Sequence, residues 1–90
     1  MKIVVNHCYG GFNLSKEAYE YMTDKWDDED DRTNSDFISL IEEWGSERVS
    51  GPYAKLKIVE IPDESTDWIM EETDGFEEIL YVLDGKIYFA

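Results

Sequence analysis

Four groups of residues carry chemistry that this 90-residue chain could use. His7 and Cys8 set a base beside a nucleophile, but neighbours on an extended strand point to opposite faces and share a proton poorly. His7 is the only histidine, so a cysteine–histidine enzyme is not expected, and Cys8 reads as a small buried residue. The run Asp27-Asp28-Glu29-Asp30-Asp31 offers alternating acids, as a calcium loop would. Such a loop needs glycine at its sixth position and glutamate at its twelfth, where this chain has Arg32 and Ile38; no metal or cofactor is implied. The pairs Glu42-Glu43, Glu71-Glu72 and Glu77-Glu78 are adjacent, diverge in direction and read as solvated faces. Hydrolysis would need opposed carboxylates around an apolar pocket. The expectation is a protein that is not an enzyme.

The fourth group, Tyr9-Gly10-Gly11-Phe12, admits two readings. Paired glycines make a turn, and Tyr9 and Phe12 then pack under helices. Alternatively His7, Tyr9, Gly10, Gly11 and Phe12 form a ligand pocket, with aromatic rings stacking a base and backbone N–H groups meeting phosphate. A P-loop is excluded, because no lysine and serine or threonine pair follows the glycines.

Charge is the strongest global signal. Eight basic against 22 acidic residues leave −14. A field of that sign repels nucleic acid and anionic membrane and steers basic proteins inward, although acidic surfaces also simply keep proteins soluble. Hydrophobic residues make up 42% and aromatics 14%, enough for a core and unlike a disordered chain. One cysteine precludes an internal disulfide. No basic leader before an apolar core is visible, and the longest apolar run, Ile79 to Leu83, is far short of a membrane span. A cytosolic setting follows as the expectation.

These groups must be positioned by an α+β domain spanning residues 1–90. Residues 2–6 read as a strand whose continuous apolar run, Ile3-Val4-Val5, suits burial on both faces. Ser15 is a helix N-cap with Glu17 in the first turn, and Leu14 and Tyr19 sit at staple positions. Ala18, Tyr19, Met22 and Trp26 give a helical face from about 15 to 26. The five acids end that helix as a solvated loop. Asn34 caps a second helix whose inner face holds Phe37, Ile41 and Trp44, with Gly45 at its end. Residues 45–53 read as loop, Ala54–Ile61 as a strand stopped by Pro62, and Trp68–Thr73, Phe76–Leu83 and Lys86–Phe89 as a meander joined by Asp74-Gly75 and Asp84-Gly85 turns. The order is β-α-α-β-β-β-β: a small mixed or antiparallel sheet with two helices on one face and strand 2–6 placed centrally.

The motifs Lys2-Ile3-Val4-Val5-Asn6, Cys8-Tyr9-Gly10-Gly11-Phe12, Leu14-Ser15 and Leu56-Lys57-Ile58-Val59-Glu60-Ile61-Pro62-Asp63 resemble those of a family of small uncharacterised bacteriophage and prophage proteins. Glu71-Glu72 and Asp74-Gly75 extend the resemblance, which covers both ends of the chain. It implies a mobile-element origin in a bacterial host and attaches no activity. His7 stands where that pattern usually has arginine, and the Asp27–Asp31 run is an addition to it.

Charge and resemblance together suggest an anti-defence inhibitor of the anti-CRISPR kind. Asp27, Asp28, Glu29, Asp30, Asp31, Glu42 and Glu43 would mimic DNA phosphates towards a basic, nucleic-acid-binding host protein, with no nucleic acid or membrane bound directly. The alternatives are sequestration of a nucleotide signal at the Tyr9–Phe12 turn, against which the negative charge counts, or a phage assembly component.

Overall fold

A computed structural model describes all 90 residues, Met1–Ala90. The chain is an α+β domain of three helices and two antiparallel sheets. Strand β1 (Lys2–Asn6) leads to helices α1 (Lys16–Met22), α2 (Ser35–Trp44) and α3 (Ser46–Val49), then to strands β2 (Leu56–Glu60), β3 (Asp67–Thr73), β4 (Phe76–Leu83) and β5 (Lys86–Phe89). Strands β1 and β2 form a two-stranded ribbon, and β3-β4-β5 form the meander.

The unbroken apolar run of β1 is explained by burial on both sides. Ile3, Val4 and Val5 are fully buried. Val4 joins Leu56, Ala18, Met22, Phe37, Leu40, Ile41 and Val49 in a cluster beneath the helices. Ile3 and Val5 join Val59, Ile61 and Ile79 beneath the meander. The ribbon is therefore the middle of three layers, and alternate residues of one strand serve different cores. Burial of each large aliphatic side chain contributes about 1.5–3 kcal/mol.

Local chemistry accounts for the elements. Ser15 Oγ accepts from the Ala18 N–H at 3.2 Å, and Asn34 Oδ1 accepts from the Phe37 N–H at 2.9 Å, each capping its helix. Asp74 and Gly75 have φ of 50° and 90°, Asp84 and Gly85 of 52° and 74°. Two successive positive φ values match the primed turn that suits the twist of a hairpin.

Four details differ from the sequence reading. Helix α1 stops at Met22, and Trp26 reaches the core from the following loop, tilted edge-on to Phe37 at 5.2 Å. Residues 46–49 are not loop but a helical turn, because Val49 is drawn into the helical core. The sheet is divided in two, and β1 is not central. It pairs only with β2, Lys2 opposite Glu60 through Asn6 opposite Leu56.

Candidate functional site

The outer edge of β1 is closed by side chain and loop rather than by a strand. The Val4 N–H donates to the Arg32 carbonyl at 2.8 Å, and the Asn6 N–H donates to Glu77 Oε1 at 2.8 Å. Arg32 and Glu77 are joined by two parallel bonds, Nη1 to Oε1 at 2.5 Å and Nη2 to Oε2 at 3.0 Å. Their side chains are only 11% and 3% exposed. The Arg32 guanidinium also lies 3.5 Å from the Phe12 ring centre, a cation–π contact. One ion pair thus ties the inter-helix loop, the β1 edge, the Tyr9–Phe12 turn and the meander. Glu77 is not the solvated carboxylate that its neighbour Glu78 suggested. Its position gave the clue: on a strand of period two it falls in line with the inward Ile79 and Tyr81. A charge on an apolar face requires a partner, and Arg32 is the base that ends the acidic run.

The acidic loop has local order. Asp28 Oδ1 accepts from the Asp30 N–H at 2.9 Å, Asp31 Oδ1 accepts from the Thr33 N–H and hydroxyl at 3.0 and 2.8 Å, and Glu29 accepts from the Tyr19 hydroxyl at 2.6 Å. That bond and the Glu29 charge raise the Tyr19 phenol above its ordinary value. Asp27, Asp28, Glu29, Asp30 and Asp31 are all exposed. Glu42 and Glu43 lie at the other end of α2, a ten-residue helix about 15 Å long, so they do not join the loop as one patch. Glu42 is bonded to Lys2 at 2.7 Å, which raises the Lys2 ammonium above its usual value.

The loop instead meets β3. Asp30, Asp31, Arg32 and Thr33 line one side of a hollow of about 420 Å³, and Trp68, Met70, Glu72 and Glu77 line the other. Glu77 is engaged by Arg32, which leaves Asp30, Asp31 and Glu72 as the carboxylates without an ion-pair partner in a hollow that Trp68 also lines. Carboxylates around an aromatic face suit a cationic side chain. No three of the histidine, cysteine, aspartate and glutamate side chains converge as metal ligands would.

The Tyr9–Phe12 turn is assembled differently from a pocket. Phe12 points inward, edge-on to Phe37 at 6.1 Å. Tyr9 is 70% exposed and does not pack under the helices. Gly10 lies against the backbone of Tyr53, where a Cβ has no room. Gly11, at φ 95°, donates its N–H to the Cys8 carbonyl at 3.4 Å. At the start of α1 the Ser15 N–H donates to Val49 O and its hydroxyl to Arg48 O, which ties the cap to α3. Gly10 serves close packing and Gly11 the left-handed backbone of the turn, while Phe12 is turned into the core and Tyr9 out to solvent, so the two rings do not face a common ligand.

His7 faces elsewhere. It stacks on Phe76 at 4.8 Å with 10° between the rings. Both line a groove of about 510 Å³ with Ser46, Lys55, Leu56 and Lys57. Burial and the nearby Lys57 ammonium push the imidazole below its ordinary value. Four of the eight lysines and arginines are held in ion pairs with carboxylates; Lys55 and Lys57 are not. Lys55 immediately precedes β2 and Lys57 lies on it, two positions apart, and both line this groove.

Comparison with protein-family models, with curated proteins and with solved structures gives no match for this chain. No helix is long and apolar enough to cross a membrane.

Proposed function

We propose that this is a non-enzymatic binding protein that engages a basic surface on a host protein, in the manner of a phage-borne inhibitor of a nucleic-acid-binding defence component. The observation that carries the reading is the hollow in which Asp30 and Asp31 of the acidic loop meet Glu72 and Trp68. Its carboxylates and indole suit a lysine or arginine that would otherwise hold a phosphate. With −14 on the chain, long-range attraction speeds the encounter and fades with salt. Retention of basic proteins from bacterial lysate on the tagged protein is expected at about 50 mM salt and is expected to fall off at about 500 mM, where the screening length shrinks to a few ångströms. The triple change Asp30→Asn, Asp31→Asn and Glu72→Gln should reduce retention at low salt while leaving the melting temperature unchanged. No basic protein retained at low salt would remove the proposal.

A second reading is favoured by the groove around His7. Lys55 and Lys57, free of carboxylate partners, stand beside the stacked His7–Phe76 rings, which suits a small anion with a flat ring, such as a nucleotide. In this reading the nucleotide sits in the groove beside β2 rather than at the Tyr9–Phe12 turn. Thermal denaturation with AMP, ATP and pyrophosphate tests it: the melting temperature should rise with ligand concentration, and Lys55→Glu with Lys57→Glu should abolish the rise. An unchanged melting temperature at millimolar ligand counts against it.

A further inference from the structure

The meander carries apolar side chains on both of its faces, and only one is covered. The inner face, with Trp68, Met70, Ile79 and Tyr81, packs on the ribbon. On the other face the register sets Ile69 beside Leu80 and Phe89, and Val82 beside Ile87. Leu80 and Val82 are half-buried, while Ile69, Ile87 and Phe89 are 54%, 69% and 66% exposed. Side chains on one face recur about 7 Å apart along a strand and about 5 Å apart across strands. The five therefore form one continuous patch, of the kind that marks an interaction surface.

The surroundings of the patch say what chemistry covers it. Asp67 stands opposite Val82, and one step beyond Ile69 and Leu80 the register sets Glu71 directly opposite Glu78. Like charges facing each other across a strand pair destabilise it. On the inner face of the same two strands Glu72 stands opposite Glu77, and there Arg32 supplies the compensating charge. On the outer face neither Glu71 nor Glu78 has an ion-pair partner. A second copy of the chain would bring the same carboxylates against themselves, with −14 on each molecule.

We propose that the outer face of the meander is a docking surface for a cationic protein segment with an apolar centre. Ile69, Leu80, Val82, Ile87 and Phe89 receive its apolar side chains, and a lysine or arginine neutralises Glu71 and Glu78. The proposal rests on the reading of a basic partner and moves most of the binding strength from the acidic loop to this sheet. Apolar anchors inside a polar rim are where interface energy concentrates. Strand β3 forms the edge between this face and the acid-lined hollow, so one partner segment folded over that edge reaches both.

Two synthetic helical peptides of equal positive charge test this, one with leucines along one side and lysines along the other, the second with the leucines changed to glutamine. Binding is followed by amide chemical shifts of the labelled protein. The leucine peptide is expected to bind at least about tenfold more tightly, a difference of one decade in Kd, with shifts centred on Ile69, Leu80, Val82, Ile87 and Phe89. Ile87→Glu, and separately Phe89→Gln, should erase that advantage while the spectrum stays folded. Equal affinity of the two peptides, with shifts centred on Asp27–Asp31, overturns the docking face but leaves the basic-partner reading standing. Failure of both peptides to bind removes both. A stable dimer by light scattering that Ile87→Glu dissociates also overturns the proposal, since a second copy would then cover the face.

Discussion

Replacing Glu77 with alanine is expected to destabilise the fold by about 3–5 kcal/mol, the usual cost of stranding one member of a buried ion pair. Three losses coincide. The Arg32 guanidinium, 11% exposed, keeps its charge and loses both carboxylate oxygens. The Asn6 N–H loses its acceptor, and the seal along the β1 edge opens between the two cores. A domain of 90 residues has a total stability of roughly 5–13 kcal/mol, so this one change removes a large share of it. Urea titration followed by tryptophan fluorescence measures the effect. Glu77→Gln should cost less, because the amide oxygen can still accept from Asn6 while the charge is lost. The double variant Arg32→Met, Glu77→Leu should recover much of the deficit, since a buried pair exchanged for packed apolar groups is often neutral. A loss below about 1 kcal/mol in Glu77→Ala, the range of an exposed pair, would show that the pair does not hold the layers together.

The second large effect is expected at Asn6, fully buried at the end of β1. Its Nδ2 donates to Cys8 O and to Gly75 O, each at 2.8 Å, and its Oδ1 accepts from the Lys55 N–H at 2.8 Å. One amide therefore ties the glycine turn, the β3–β4 hairpin and the approach to β2. Nearby, Gly75 comes so close to Gly11 that a Cβ would lie 2.5 Å from the Gly11 nitrogen. Asn6→Ala leaves the Gly75 carbonyl and the Lys55 N–H without partners, and the Cys8 carbonyl with only the longer bond from the Gly11 N–H. At about 1–3 kcal/mol for each unsatisfied group, reduced by whatever water enters, a loss of about 3 kcal/mol in unfolding free energy is expected from urea titration. Asn6→Asp should be similarly damaging, because its oxygen would face the Cys8 and Gly75 carbonyls. Wild-type stability in either variant would mean that the three bonds are replaceable.

Much of the fold was legible because its signals are local. Ser15 and Asn34 cap by short-range hydrogen bonds, and Asp-Gly at two places makes hairpins whatever lies beyond them. The apolar run of β1 told of burial on both faces without telling by what. Its neighbours on the edge are a loop carbonyl and a carboxylate 71 positions away in the chain, and pairing of that kind leaves no periodicity. Of the candidate site, only the loop's charge was legible. Charge drew attention to Asp27–Asp31, and the structure brings Asp30 and Asp31 to a hollow, but Glu72 and Trp68 come from β3 and complete it only through tertiary packing. Glu42 and Glu43 were grouped with the loop by composition, whereas helix length holds them apart. Phe12 was a candidate ligand ring because it follows glycines; the Arg32 guanidinium and Phe37 draw it inward instead.

The ribbon between the two cores also bears on how the chain reaches this state. Hairpins closed by Asp74-Gly75 and Asp84-Gly85 join neighbours in sequence and form on a scale of about 1–10 μs. Asn6 must find Leu56 across three helices, and the entropy of closing so long a loop precedes any contact that rewards it. The meander can therefore exist before the ribbon does, with its inner apolar face still open to water. A chain caught in that order would present both apolar faces of the meander, and the carboxylates along its strands and turns would hold such chains apart by mutual repulsion until β1 and β2 closed over one side.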